Sequence, residues 1–432
     1  MKRLRVLLIN ESANPEWPSV PLVGWRHGAA LHQLVDAHTV TQIRNRDEIL
    51  RAGWQEGREF TVIDSEAAAR PLYQLGERLR GGAGKGWTTS MAFMAFAYYY
   101  FEHLVWKQFG SAIRLGSYDI VHRITPLSPT IPSPIARHCA DAGVPFIWGP
   151  INGGVPWPDG TDDVRWRERE WLSYVRSAYK LLPAYGGTRR FAAAIAVASR
   201  ATEQQLNSDC HGKCVYIPEN GLDDTVLAAP AEKASSPPLR IIFVGRLVPY
   251  KGAEIALEAA APLLAAGQAT LDIIGDGPEA ESLRNLAQLR ELGSGITFHG
   301  WLDHDEVLSR MAQAHVLAFP SIREFGGAVV IEAMALGAVP IVVDYAGPAE
   351  VVTGGTGFRV PLGPRPVLIG RYREIFEQLL KEPATLAAMA AAGRQRIADY
   401  YTWQKKARQT VEVYRWVLGQ RPDRPNFGIL TD

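Results

Sequence analysis

Alternation of short apolar runs with helical stretches constrains this chain more than any other feature. From residue 240 onward, runs at 240–244, 270–274, 296–299, 316–319 and 340–343 are separated by segments predicted helical at 254–264, 279–292, 305–314 and 329–336. Runs of four or five mostly aliphatic residues suit strands buried on both faces, and the intervening segments are long enough for crossover helices. That succession predicts an α/β fold with a parallel sheet covered by helices. A looser series precedes it, with strands expected at 4–9, 38–43, 60–63, 120–124, 145–148 and 193–198. Between the two series, 228–239 reads Ala-Ala-Pro-Ala-Glu-Lys-Ala-Ser-Ser-Pro-Pro-Leu, which has no periodic apolar face and reads as a linker. Two domains are therefore expected at 1–227 and 240–400, with a closing amphipathic helix and tail in 401–432.

At 432 residues the chain is too long for one ordinary core, in keeping with that division. Its 46 Lys and Arg balance 45 Asp and Glu, so no global field argues for nucleic acid as a partner. The cysteines Cys139, Cys210 and Cys214 are odd in number and sparse, which fits a reducing compartment. Cys210 and Cys214 lack a second ligand pair, so no metal site is expected. The start of the chain reads as a buried strand with no cleavage site behind it, and the apolar stretch 91–106 is broken by Glu102 and His103. A cytoplasmic protein is expected. The run Arg165-Trp-Arg-Glu-Arg-Glu-Trp171 mixes aromatic and basic residues as interfacial helices do, so peripheral contact with a membrane is a further expectation.

Chemistry gathers in the second series. After the run 315–319 come Glu324, Phe325, Gly326 and Gly327, then a helix expected near Ala328 and Val329 that carries Glu332. A helix start offers unpaired N–H groups to phosphate, glycines permit close backbone approach, and carboxylates suit sugar hydroxyls. Gly245-Arg-Leu-Val-Pro-Tyr-Lys-Gly252 follows the first strand of this domain and shares its carboxyl edge, so Arg246 and Lys251 are placed to meet a diphosphate. In the first series, Gly24 and Gly28 are expected on a loop after the opening strand. Their spacing is not that of a dinucleotide fingerprint. His122 and Arg123 end one strand and Asn152 and Gly153 follow another, all expected to open onto one cleft suited to a polyhydroxylated substrate. The stretch Gly81-Gly-Ala-Gly-Lys-Gly86 lacks the Ser or Thr of a nucleotide-binding P-loop and reads as an ordinary loop.

Taken together, Ile217-Pro-Glu-Asn-Gly221, the 244–252 turn, Ile274-Gly-Asp-Gly-Pro278, Phe298-His-Gly300, the Glu324 to Glu332 spacing, Glu332-Ala-Met-Ala-Leu-Gly337 and Thr402-Trp403 resemble a family 4 retaining glycosyltransferase of the GT-B fold. The resemblance implies two Rossmann-like domains facing across a cleft, with the C-terminal helix returning to the first. It implies transfer of a sugar, with retention, from a UDP- or GDP-sugar to a saccharide or lipid-linked acceptor, as in cell-surface polysaccharide or glycoconjugate synthesis, with no cofactor or metal. By it, Arg246 and Lys251 hold the diphosphate, Glu324 meets the transferred sugar, Glu332 the ribose, Gly300 and Trp301 line the base pocket, and Gly24, His122, Asn152 and Gly153 stand on the acceptor side. The aromatic of the family's E-x-Phe-Gly is displaced by one here, to Phe325, and Ile124 stands where many relatives carry a histidine. Alternatives are a sugar nucleotide epimerase or glycogen synthase-like enzyme of the same fold, and a sugar-nucleotide-binding module without turnover.

Overall fold

The computed structural model describes residues 3–67, 71, 87–153, 157–158, 179–228 and 238–430. The loop 81–86, the whole aromatic and basic run from Arg165 to Trp171, and the linker residues 229–237 lie outside the described residues. Two compact units form. Among the described residues the first takes 3–153, 179–221 and 403–428, and the second takes 157–158, 222–402 and 429–430.

In the first unit, β1 (Arg5–Asn10), β2 (Asp36–Gln42), β3 (Phe60–Ile63), β4 (Ile120–Thr125), β5 (Phe146–Ile151), β6 (Ala194–Val197) and β7 (Cys214–Tyr216) form a parallel sheet ordered β3-β2-β1-β4-β5-β6-β7. Strand β4 is buried at every position, since helices cover both faces. The expected loop around Gly24 is instead the helix Val20–His32. Pro21 lies in its first turn, where a missing N–H costs nothing. Gly24 is there for packing: a Cβ would stand 2.3 Å from the Ser12 carbonyl oxygen and 2.6 Å from Asn10 Oδ1.

The closing helix Trp403–Val417 packs on Val20–His32 inside this unit. His27 Nε2 is 3.1 Å from Thr410 Oγ1 there, and the Lys406 ammonium donates to the Glu219 carbonyl. On the other side of the sheet Glu102 accepts from Tyr98 Oη, Ser133 Oγ and the Ile135 amide, which orders the loop after β4.

Burial pushes four imidazoles of this unit below their ordinary value: His122 and His32 to about 4, His27 well down, with Lys406 and His122 adding to it, and His38 also lowered. A histidine depressed on folding stabilises fully above its unfolded value and ceases to do so as pH falls toward the folded one. Glu102, raised chiefly by burial, acts in the opposite sense. Thermal melts of this protein are expected to be flat above about pH 7 and to fall steeply between pH 6.5 and 4, with His122 alone worth on the order of 3 kcal/mol. A melting temperature unchanged across that window would contradict the neutral, buried state of these rings.

In the second unit, β8 (Leu239–Val244), β9 (Ala269–Ile274), β10 (Ile296–Gly300), β11 (Val316–Phe319), β12 (Val339–Val343) and β13 (Phe358–Val360) form a parallel sheet ordered β10-β9-β8-β11-β12-β13. The expected strands and helices of this half fall within a few residues of those observed. The order reverses between β8 and β11, and a doubly wound sheet takes its ligand at the carboxyl ends of the strands flanking such a reversal. No helix among the described residues is long and apolar enough to cross a membrane.

Candidate donor site

Two loops meet at that reversal. The first leaves β8 through Gly245 and ends in a 3-10 turn, Pro249–Lys251, whose C-cap Gly252 is left-handed at φ +73°. Gly252 must be glycine on a second count, because a Cβ would approach the Pro320 carbonyl of the second loop to 2.8 Å. Leaving β11, the second loop runs through Glu324 and Phe325 to Gly327, which caps the helix Ala328–Ala335 in the left-handed region at φ +61°. The Ile322 amide donates to the Tyr250 carbonyl at 3.0 Å and fastens one loop to the other.

Across this seam the Lys251 ammonium pairs with the Glu324 carboxylate. Their side chains are only 15% and 21% exposed, so the pair sits in a recess where solvent screening is weak. Lys251 Nζ also stands 5.5 Å from the Phe319 ring centroid and 5.6 Å from that of Tyr250. Arg246 is on the same loop, exposed, and makes no ion pair among the described residues. As the first residues of their helix, Ala328 and Val329 have no intrahelical carbonyl for their N–H groups. Phe325 and Gly326 are half-buried, and the Phe325 carbonyl is pinned against Gly347, where a Cβ would stand only 1.8 Å away.

Glu332 projects from the second turn of that helix toward its N-terminus, as helical side chains do. Its Oε1 accepts from His304 Nε2 at 3.0 Å. His304 escaped the sequence reading. It opens the helix His304–Gln313 just after Gly300 and Trp301, and that adjacency to the expected base loop was the available signal. Trp301 is 76% exposed, an indole face presented to solvent beside the site. Gly300 accepts at its carbonyl from the Gly275 amide at 2.8 Å, and Gly245 donates to Ile274 at 3.0 Å, so the loops after β8, β9 and β10 form one stitched edge. The structure thus brings Gly245, Arg246, Lys251, Gly300, Trp301, Glu324, Phe325, Gly326, Gly327, Ala328, Val329 and Glu332 to the carboxyl edge of one sheet.

The residues expected on the acceptor side belong to the other unit and do not form a comparable group. Gly24 is interior to a helix. His122 is wholly buried, its Nε2 donating to the Gly149 carbonyl at 2.5 Å and its Nδ1 accepting from Tyr414 Oη at 2.6 Å, so the expected opening onto a cleft is corrected to a structural cross-link with the closing helix. Arg123 is equally interior, donating to the Pro126 and Ile131 carbonyls. Asn152 and Gly153 follow β5. Asn152 Oδ1 accepts from the Gly153 amide at 2.9 Å and from Thr202 Oγ1 at 3.1 Å, while its buried Nδ2 finds no partner among the described residues. The three cysteines are buried free thiols.

Residues 228–396 match the family model described as "Glycosyl transferases group 1". Over 222 residues the chain is 32% identical to a glycogen synthase of Mycobacterium tuberculosis, covering 50% of this chain and 52% of that one. Over 168 residues it is 32% identical to a GDP-mannose-dependent phosphatidylinositol monomannoside mannosyltransferase of Corynebacterium glutamicum, covering 37% and 42% respectively. The chain spans about half the length of the curated relatives it matches. Among solved structures, HepE of Anabaena in complex with UDP and glucose superposes with a TM-score of 0.57 at 16% identity, covering 97% of this chain and 100% of that one. Sucrose-phosphate synthase of Thermosynechococcus elongatus gives 0.58 at 19%, with the same coverage. At such identities the likeness is one of fold, and the fold is GT-B.

Proposed function

We propose, for a chain whose residues 228–396 match the group 1 glycosyl transferases, that it transfers a sugar from a nucleoside diphosphate sugar to a saccharide or lipid-linked acceptor with retention of configuration. The observation that carries this reading is the Lys251–Glu324 pair, held between two fastened loops at the reversal of a doubly wound sheet. Lys251, Arg246 and the N–H groups of Ala328 and Val329 neutralise the donor diphosphate. Glu324 orients the sugar. Glu332, with His304 behind it, takes the ribose hydroxyls, and Trp301 offers its face to the base.

In the reaction the bond from the anomeric carbon to the phosphate oxygen breaks, and its electron pair leaves with the nucleoside diphosphate. The acceptor oxygen bonds to the same face of that carbon, and its proton passes to the departing phosphate oxygen. Charge on the leaving diphosphate grows next to Lys251, where a fixed cation in a partly dry recess lowers the barrier most. Two cations and a helix N-terminus match a diphosphate without a resident metal. We place the enzyme in the cytoplasm, with the membrane contact resting on the sequence around Arg165 alone.

Incubation with UDP-, GDP- and ADP-sugars and a panel of saccharide acceptors, read by NMR at the anomeric proton, tests the proposal. The expected product keeps the donor's anomeric configuration and forms equally well in a chelator. An epimerised sugar nucleotide in the absence of acceptor, or a product of inverted configuration, would refute it. The glycogen synthase likeness makes repeated addition to a glucan the specific outcome to watch for among the acceptors.

A further inference from the structure

Trp157 lies four residues beyond Gly153 in the sequence, yet its contacts are with the second unit, where it is buried in the core cluster of that sheet. Its ring stands edge-on to Tyr250, with centroids 6.4 Å apart at 90°. The Arg323 guanidinium lies over the same ring, 4.6 Å from its centroid, and 6.0 Å from that of Phe325. Tyr250 immediately precedes Lys251, and Arg323 immediately precedes Glu324. One indole therefore touches both donor loops, at the residue next to each member of the ion pair. The Tyr250 carbonyl that accepts from Ile322, and from Ser321 Oγ at 3.4 Å, lies on the same seam.

On the function proposed above, we infer that Trp157 is a positioning residue for sugar transfer: its indole braces Tyr250 and Arg323 and so fixes the separation of Lys251 from Glu324. A buried indole is large and rigid, and it holds a guanidinium on its face and a phenol ring at its edge. Backbone hydrogen bonds at Tyr250 keep the loops adjacent without it. What the ring adds is the direction of the two side chains that follow. Without the ring, the Arg323 guanidinium loses the surface it lies on, one residue from the carboxylate that meets the sugar. Nucleoside diphosphate binding depends on Lys251 and the helix start, whereas transfer requires Lys251 and Glu324 in register across the diphosphate and the sugar. Trp157 should thus act on turnover more than on nucleotide affinity.

Three variants of the full chain, Trp157→Ala, Trp157→Phe and Trp157→Leu, test this with the sugar nucleotide that the wild type turns over and with UDP and GDP as binding probes. Trp157→Ala is expected to lower kcat by about 10- to 100-fold, as for a misplacement of about 1 Å, while the Kd for UDP or GDP moves less than about 3-fold. Phe restores kcat to within about 5-fold of wild type. Leu keeps the apolar volume but not the ring face and behaves as Ala, and it carries the test if Ala does not fold. Combined with Glu324→Ala, the loss should be far from additive. An unchanged kcat in a folded Ala or Leu variant, measured well below its melting temperature, would overturn the inference even if stability had dropped, as would additivity with Glu324→Ala. Wild type that neither binds UDP or GDP nor turns over a sugar nucleotide would overturn the proposed function and this inference together, whereas active wild type with normal Trp157 variants sinks the inference alone.

Discussion

Lys251→Ala is expected to lower transfer by about 10³-fold while leaving a folded protein with a melting temperature close to that of wild type. The two halves of that expectation have different causes. Lys251 is the partly buried cation of the donor loop, placed where charge builds on the leaving diphosphate, so its removal raises the barrier rather than simply weakening binding. Its contribution to folding is small. The partner carboxylate of Glu324 keeps about a fifth of its side-chain surface exposed and can take up water, which limits the loss to about 1 kcal/mol. Steady-state kinetics with the cognate donor and a thermal melt of the same preparation settle both halves. Turnover within about 3-fold of wild type in a folded variant would remove Lys251 from the mechanism.

The second large effect is expected at a residue outside the proposed ligand contacts. Gly275 has φ +130°, a conformation rarely open to L side chains, and a Cβ there would stand 2.0 Å from the Gly245 carbonyl oxygen. That oxygen belongs to the backbone of the loop leading to Arg246 and Lys251, so it cannot step aside as a flexible side-chain tip would. Gly275→Ala should cost about 3 kcal/mol or more, lowering the melting temperature by about 10 °C. The part of the population that folds should still bind nucleotide poorly, because the displaced carbonyl carries the donor loop with it. Gly267→Ala is the control: φ is +65° but nothing lies within 4 Å, so only the backbone preference is lost, about 1 kcal/mol. Equal effects at the two positions would show that the close approach of the loops after β8 and β9 is not what requires Gly275.

These two residues also show why the second unit was legible in sequence and the first less so. In 240–343 each strand is followed by a short turn and a helix. Glycines stand where loops cross closely, so element order, sheet edge and candidate donor residues all follow from local pattern. The three-residue strands β7 and β13 are too short to carry a period and were missed.

In the first unit, Gly24 and Gly28 look like loop residues. The helix they occupy passes close to Asn10 and Ser12, a tertiary demand for small residues that leaves no local mark of a helix. His122 was misjudged for a related reason. A parallel strand covered on both faces gives no alternation from which to tell inward from outward, and only the returning helix, some 290 residues later, shows that Tyr414 is its partner. Trp157 and His304 belong to the same class. Each is defined by a contact with a residue distant in sequence, Tyr250 and Glu332 respectively, and neither sits in a motif.

Titration calorimetry of UDP, GDP and ADP into the wild type and into Lys251→Ala asks whether the edge between β8 and β11 holds a nucleoside diphosphate and whether the recessed cation faces its phosphates. Saturable 1:1 binding of at least one of the three to wild type is expected without added metal, weakened by about 10-fold or more in the variant. Binding of none of them to wild type, or binding of equal strength to both proteins, would contradict the proposed donor site.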